Sequence, residues 1–509
     1  MKQTILKYLM IGVLVISSIS CMDKERDLSW ERRHMPKEAY FDFNMIQAVA
    51  LNINYCFKSD NYRVLFDIYD QDPIEYSADG TVSQKDIEPI YRAVTDEEGK
   101  FSGEMNIPAD ISEVWLSSDY LATASPLKLT IDDSRRLSFN QDAYITALRS
   151  QTASKTRGVT VNQHTYLKEW HVLPDADWDN NGRPTNLEPK INIPPADVLY
   201  NIKYVFRKVT VKDENGKSKV LNISQNYPEF FDGSIKMTSD IPIVNPTEGS
   251  LVFINSSAAW YNTVGYYTYP TNNPPQSASD IKQIIAFPNT SPVYKTLGVG
   301  ALVCGEEIKL KYWNEETQEY EDKFPAGVTI GWCLQGMGFK SKLTSETDKD
   351  KVGDIIKGMG ARYSTRNLNT NNTQRTVSLR DSKSGQIVAV GFEDNIDFDY
   401  ADAIFYIHTS EKNAIDPALP ALPEDPEAIP EQYKISYSGT LAFEDLWPKL
   451  GDYDMNDVMV KYTSTMTRNA LDNRIYEIED KFILQHCGGY LQNGFGYQLH
   501  SSQTAISRV

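Results

Sequence analysis

Residues 387–407 read Ile387-Val388-Ala389-Val390-Gly391-Phe392-Glu393-Asp394-Asn395-Ile396-Asp397-Phe398-Asp399-Tyr400-Ala401-Asp402-Ala403-Ile404-Phe405-Tyr406-Ile407. An apolar run, Ile387–Val390, is followed by five carboxylates in ten residues, and then by a second apolar run, Ala403–Ile407. Short β-branched and aromatic runs bounded by polar punctuation read as buried strands. The stretch therefore predicts strand, acidic loop, strand. A second segment repeats the pattern: Ala442-Phe443-Glu444-Asp445-Leu446-Trp447-Pro448-Lys449-Leu450-Gly451-Asp452-Tyr453-Asp454-Met455-Asn456-Asp457-Val458-Met459. Both contain Phe-Glu-Asp, a variable gap, and Asp-aromatic-Asp-x-x-Asp, with a strand-like run after them.

Carboxylates crowded in one loop repel one another and resist ionisation unless something positive sits among them. Ca²⁺ removes that repulsion, because it takes six to eight oxygen ligands from carboxylates, amides and carbonyls. The candidate ligands are Glu393, Asp394, Asp397, Asp399 and Asp402 in the first loop. In the second they are Glu444, Asp445, Asp452, Asp454, Asn456 and Asp457. The first loop has Ala401 where the second has Asn456, and its gap is shorter. A third acidic run, Asp177-Trp178-Asp179-Asn180-Asn181-Gly182 with Glu188, places Asp177, Asp179, Asn181 and Glu188 at EF-hand ligand spacings. Pro174 and Pro189 flank it and Pro184 lies inside it. Paired helices are incompatible with those prolines, so the expectation there is a structural turn.

Phe443-Glu444-Asp445-Leu446-Trp447-Pro448, Gly451–Asp457 and the downstream Gln492-Asn493-Gly494-Phe495-Gly496-Tyr497-Gln498-Leu499 resemble the signature of the LruC-type domain of Bacteroidetes-like bacterial lipoproteins. The first loop, with Phe324–Trp332 and Val264-Gly265-Tyr266-Tyr267, is similar to a β-rich domain of unknown function that often precedes it. The resemblance spans about residues 245–509 and implies an envelope lipoprotein with no known enzymatic activity.

The N-terminus is consistent with that implication. Lys2 and Lys7 precede a 12-residue apolar run, Tyr8–Ile19, too short to span a bilayer and suited to a signal-peptide core. Ser18-Ile19-Ser20-Cys21 resembles a lipobox, which makes Cys21 the expected lipidation site, and the acidic residues that follow resemble a surface-export signal. Several acyl chains, each contributing about 0.8 kcal/mol per buried CH₂, would hold the chain on the membrane. The expected location is the outer membrane, on the cell surface.

With 509 residues, 41% of them hydrophobic and 24% charged, the composition is that of a multidomain globular protein. The 51 basic residues against 69 acidic ones give −18, which argues against nucleic acid as a partner. Cys56, Cys304, Cys333 and Cys487 are scattered without a CxxC pair; Cys304 and Cys333 could form a disulfide, but buried free thiols are the preferred reading.

The expected fold is mostly β: a small transthyretin- or immunoglobulin-like sandwich followed by two β-sandwich or jelly-roll-like domains. The domain reading is signal peptide 1–20, tether 21–38, small sandwich 39–140, turn-rich linker 141–192 and β-rich domain 193–412. A Pro-rich linker at 413–431 then leads to an incomplete LruC-type domain at 432–509. Ala93-Val94-Thr95-Asp96-Glu97-Glu98-Gly99-Lys100-Phe101 resembles the hairpin of transthyretin-like or carboxypeptidase-regulatory-like sandwiches. A helix is expected at Ala196–Arg207 and a charged hairpin turn at Asn215-Gly216. The six histidines form no HExxH pair, and no GxSxG elbow or P-loop occurs. The expected function is non-enzymatic: a glycan- or protein-binding adhesion module with Ca²⁺-stiffened loops and no catalytic residue. Two alternatives stand beside it, a carbohydrate-processing enzyme or accessory glycan-binding protein, and a structural stalk subunit. Grouped Trp260, Tyr261, Tyr266, Tyr267 and Tyr269 suit a sugar platform, although their alternation fits a half-buried strand better.

Overall fold

The computed structural model describes residues 46–57, 59, 61–76, 82–153, 164–294, 300–341, 352–445, 454–489, 491–499 and 506. The leader, the tether, Cys21 and Asp452 lie outside these residues. By compactness the chain divides into residues 1–47 with 106–110, and the remainder. In the smaller unit Gln47 Nε2 donates to the Pro108 carbonyl at 3.4 Å.

The chain is mostly β, in several sheets. The first sandwich contains β1 (Ile46–Asn54), β2 (Leu65–Tyr69), a small hairpin of β3 (Ile74–Tyr76) and β4 (Val82–Gln84), β5 (Tyr91–Val94), β6 (Lys100–Pro108), β7 (Glu113–Ser117), β8 (Leu127–Thr130) and β9 (Arg136–Asn140). One sheet has the order β6-β1-β9, with β1 and β9 parallel, and the other β5-β2-β7-β8. In β1 strict alternation sends Val49, Leu51 and Ile53 inward. Phe66 of one sheet meets Phe101 of the other with ring centroids 5.3 Å apart. The Asp96–Gly99 turn, expected as a hairpin, instead carries the chain from one sheet to the other, because β5 and β6 belong to different sheets. Asp96 Oδ1 accepts the Lys100 N–H at 2.8 Å, and Gly99 takes φ +74° with no room for a Cβ beside Phe57.

Helix α1 (Gln141–Ala153) follows. The second sandwich contains β10 (Trp170–His171), helix α2 (Ala196–Phe206), the hairpin β11 (Val209–Lys212) and β12 (Ser218–Leu221), the one-turn helix α3 (Ile223–Asn226), β13 (Ile241–Ile243), β14 (Thr247–Asn255), β15 (Thr263–Pro270) and β16 (Gln283–Phe287). After these come β17 (Glu307–Lys309), the hairpin β18 (Tyr312–Asn314) and β19 (Glu319–Glu321), β20 (Lys323–Phe324), β21 (Val328–Gly336), β22 (Gly360–Tyr363), β23 (Thr376–Arg380), β24 (Ile387–Phe392) and β25 (Ala403–Thr409). One six-stranded sheet runs β10-β16-β15-β21-β13 with β22 also on β21; the other runs β17-β14-β25-β24-β23 with β20 also on β14. Val264, Tyr266, Ile330, Trp332 and Leu334 from the first interdigitate with Leu251, Phe253, Val390, Phe392 and Phe405 from the second. Strands β21 and β24 are buried along their whole length, which is why their sequences are apolar runs and not alternations.

Two stretches read as linkers are packed. In 141–192, Trp170 and Trp178 join Tyr267, Cys333 and Tyr363 in a second core on the outer side of the β21 sheet. In 413–431, Ile415 bridges Ile243, and Ile415 and Leu419 enter the main core. Proline limits hydrogen bonding here without preventing burial of the apolar residues between. Tyr266 and Tyr267 are fully buried core residues, and Tyr261 and Tyr269 pack half-buried against the second core, as the alternation of the strand suggests. Cys304 and Cys333 are buried free thiols. Helix α2 covers the far side of the β24 sheet, where Phe206 occupies the space beside Gly391 that a Cβ would fill.

The last described element is an antiparallel meander of three 12-residue strands, β26 (Gln432–Phe443), β27 (Val458–Asn469) and β28 (Ile475–His486). Its base meets the first sandwich, where Val94 N–H donates to Asn473 Oδ1 at 2.9 Å. Residues 491–499 return across one face, placing Phe495 5.1 Å and Tyr497 4.8 Å from the Phe482 ring. Among the described residues no helix is long and apolar enough to cross a membrane.

Candidate metal centres

Strands β24 and β25 hold the first acidic loop in a hairpin whose last pair is Phe392 with Ala403. The loop turns on itself because Phe398 and Tyr400 take left-handed φ of 53° and 55°. Its backbone donors are spent on its own carboxylates: Asp394 N–H on Asp402 Oδ2 at 2.7 Å, Asn395 N–H on Glu393 Oε1 at 3.0 Å and Ala401 N–H on Asp399 Oδ1 at 2.8 Å. Tyr400 is pinned by Phe231 at 4.6 Å and donates to the Gln374 carbonyl.

As a result, one carboxylate oxygen from each of Glu393, Asp397, Asp399 and Asp402 lies within 4.8 Å of the others. Glu393 is 0% exposed and its Oε2 has no hydrogen-bond donor. Burial, reinforced by the neighbouring Asp397 and Asp399 charges, pushes the Glu393 carboxyl up to about 8. Burial and Asp394 push Asp402 up to about 10. Without a positive charge of adequate size, this group therefore takes up protons. Lys208 Nζ lies 2.8 Å from Asp399 and 3.3 Å from Asp397, and the Arg362 guanidinium, donating to the Asp394 carbonyl, acts on Glu393 and Asp394 from farther off.

Asp394 belongs to the sequence-derived ligand set but not to the convergent group. Its Oδ2 accepts from Asn262 Nδ2 at 2.7 Å, and Asn262 is fully buried with its own Oδ1 satisfied by Met337 N–H. The geometry makes Asp394 a buried strut of the loop.

The second loop is built the same way where it is described. Its hairpin closes on Phe443 with Val458, the counterpart of Phe392 with Ala403. Asp445 N–H donates to Asp457 Oδ2 at 2.7 Å, matching Asp394 on Asp402. Met455, with φ 56°, stands where Tyr400 has 55°. Glu444, Asp445 and Asp457 converge within 4.8 Å. Asp454, expected as a ligand, stays outside that group and accepts from the Nδ2 of Asn456, the other residue expected there as a ligand. The segment after β28 closes over the loop: Asn493 Nδ2 reaches Asp445 Oδ2 at 3.3 Å, and Gly489 lies so near that a Cβ there would come within 2.9 Å of both Asp445 and Asp457.

The EF-hand-like run is a turn. Asp179 Oδ1 accepts from Asn181 and Arg183 N–H, Gly182 takes φ +84°, and Trp178 bridges Pro184. Among the described residues Asp177, Asp179 and Glu188 form no convergent group with one another. Each Asp carboxylate is spent within the turn, Asp177 Oδ1 on Trp178 N–H.

Asn262, Asn493 and Lys208 were not legible from the acidic motif. A signal for the asparagines exists in hindsight: Asn262-Thr263-Val264-Gly265-Tyr266 and Asn493-Gly494-Phe495-Gly496-Tyr497 are alike.

Two family models match the chain, both domains of unknown function: DUF8469 over residues 47–141, the first sandwich, and DUF4114 over residues 324–410, which includes the first acidic loop. No curated protein and no solved structure matches it.

Proposed function

We propose that this chain is a lipid-anchored protein of a bacterial cell surface, a non-enzymatic binding module whose two acidic hairpins take Ca²⁺. The observation that carries the metal reading is the convergence of Glu393, Asp397, Asp399 and Asp402 around a fully buried carboxylate oxygen that no donor satisfies. Four carboxylates outweigh Lys208, the one cation ion-paired with them among the described residues. The donors are all hard oxygens, with no thiolate or imidazole among them, which suits Ca²⁺ over a transition metal. Ca²⁺ bound here would replace repulsion within the loops by coordination and so stiffen the hairpin ends.

The binding reading is favoured over the carbohydrate-processing alternative by the same geometry. Glycoside hydrolysis needs two carboxyl groups roughly 5–9.5 Å apart on either side of a sugar. Here the carboxylates point to one centre, and Tyr266 and Tyr267 are core residues. The anchor rests on the Lys2–Cys21 leader and on the resemblance to LruC-type lipoproteins. Calorimetric titration of the chelator-treated chain with CaCl₂ tests the metal. Heat that disappears when Asp399→Asn and Asp457→Asn are combined supports it; no heat, with no rise in unfolding temperature, defeats it. Radiolabelled palmitate incorporated by the parent and not by Cys21→Ser tests the anchor.

A further inference from the structure

The likeness of the two acidic hairpins extends beyond the loops. Strand β14 lies beside β25, pairing Asn255 with Ile404 and then, after a one-residue bulge, Phe253 with Phe405. Strand β28 lies beside β27, pairing His486 with Met459 and then, after a one-residue bulge, Leu484 with Val460. Ile404 and Met459 are each two residues beyond the last loop aspartate, so register and bulge coincide. Asn262 follows Asn255 by seven residues, and Asn493 follows His486 by seven. Each asparagine donates to the aspartate of its Phe-Glu-Asp motif. The chain order differs: β14 and Asn262 precede the first hairpin, whereas β28 and Asn493 follow the second. The two thus share one arrangement of hairpin, neighbouring strand and asparagine, in permuted chain order.

Against that shared plan Lys208 is an addition. It lies just beyond α2, between the helix and β11, and comes from no element that the two modules share. Its ammonium contacts Asp399 and Asp397 within the group that also holds the donor-free, 0% exposed Glu393 carboxylate. Asn222, the cap of α3, ties the same loop by donating Nδ2 to the Asp397 carbonyl at 2.7 Å.

We infer that Lys208 is a tethered competitor for the divalent cation at the first hairpin, lowering that site's affinity and leaving it when the cation enters. This rests on the Ca²⁺ reading above. A long ammonium side chain can swing into solvent, and two like charges sharing one carboxylate cage repel strongly. Occupancy of the first site is thereby coupled to the α2–β11 junction.

The test is CaCl₂ titration of the full chain, freed of cations by chelator, for the parent, Lys208→Met and Lys208→Arg. One class of site should tighten about tenfold or more in Lys208→Met and stay at the parental value in Lys208→Arg. Independently, acetylation of Lys208 by an amine-reactive reagent, read by mass spectrometry of the parent, should accelerate when Ca²⁺ is added. Unchanged affinity in Lys208→Met, or acetylation indifferent to Ca²⁺ in a parent that binds it, overturns the competitor role and leaves the cation reading standing. Absence of Ca²⁺ uptake in all three proteins overturns both.

Discussion

Asn262 Nδ2 donates to Asp394 Oδ2 across 2.7 Å in the buried interior, and the two residues are 132 positions apart in the chain. The bond joins the start of β15, in one sheet, to the acidic loop of the β24–β25 hairpin, in the other. It thereby holds the loop's first aspartate away from the convergent oxygens.

Removing that donor leaves a buried carboxylate unsatisfied. Asn262→Ala is expected to destabilise the chain by about 1–3 kcal/mol, and Asn262→Asp by more, because it sets a second carboxylate against the first. Chemical denaturation followed by tryptophan fluorescence measures both.

The raised carboxyls give stability a defined pH dependence. Glu393, at about 8, and Asp402, at about 10, hold protons in the folded state that the unfolded chain releases in the ordinary carboxylate range. Between about pH 4.5 and 8 the cation-free folded state thus binds more protons, so its stability falls as pH rises. In chelator the unfolding midpoint should drop from pH 5 to pH 8. With saturating Ca²⁺ that fall should be reduced or reversed, because the cation competes with the protons.

Ligand removal should abolish the gain from Ca²⁺. At a concentration a hundredfold above the dissociation constant, one site contributes about 2.7 kcal/mol. Asp399→Asn, which alters one of the four convergent carboxylates, should lose most of the first site's share, seen as a smaller Ca²⁺-induced rise in melting temperature.

Gly489→Ala tests the second site alone. Its Cβ would sit 2.7 Å from Asp445 Oδ2 and 2.9 Å from Asp457 Oδ1, so the segment must move off the loop. Calorimetry should show one class of Ca²⁺ site weakened and the other intact.

The EF-hand-like turn gives a negative control with its own readout. Asp179→Ala removes the acceptor for Asn181 and Arg183 N–H and should cost about 1 kcal/mol in denaturation. Ca²⁺ binding should not change.

Several elements were legible because their causes are local. The acidic loops declared themselves by placing five carboxylates between apolar runs, and α2 and the Asn215-Gly216 hairpin turn by short-range pattern. The linkers were misread as spacers because proline content in 413–431 and turn-rich polarity in 141–192 are local properties, whereas the burial of Ile415, Leu419, Trp170 and Trp178 depends on distant surfaces. The selection of ligands was likewise out of reach: Asp394 and Asp454 satisfy the spacing but are taken by Asn262 and Asn456.

The amino-acid sequence by itself determined that the chain is β-rich and that acidic hairpins end its strands, since side-chain alternation, turn chemistry and charge density act over a few residues. Only the tertiary structure decided which oxygens share a centre, that Lys208 reaches it, and that the second hairpin repeats the first in permuted order. Those relations depend on strand register and on hydrogen bonds between residues far apart in the chain, and such contacts leave no local periodicity to read.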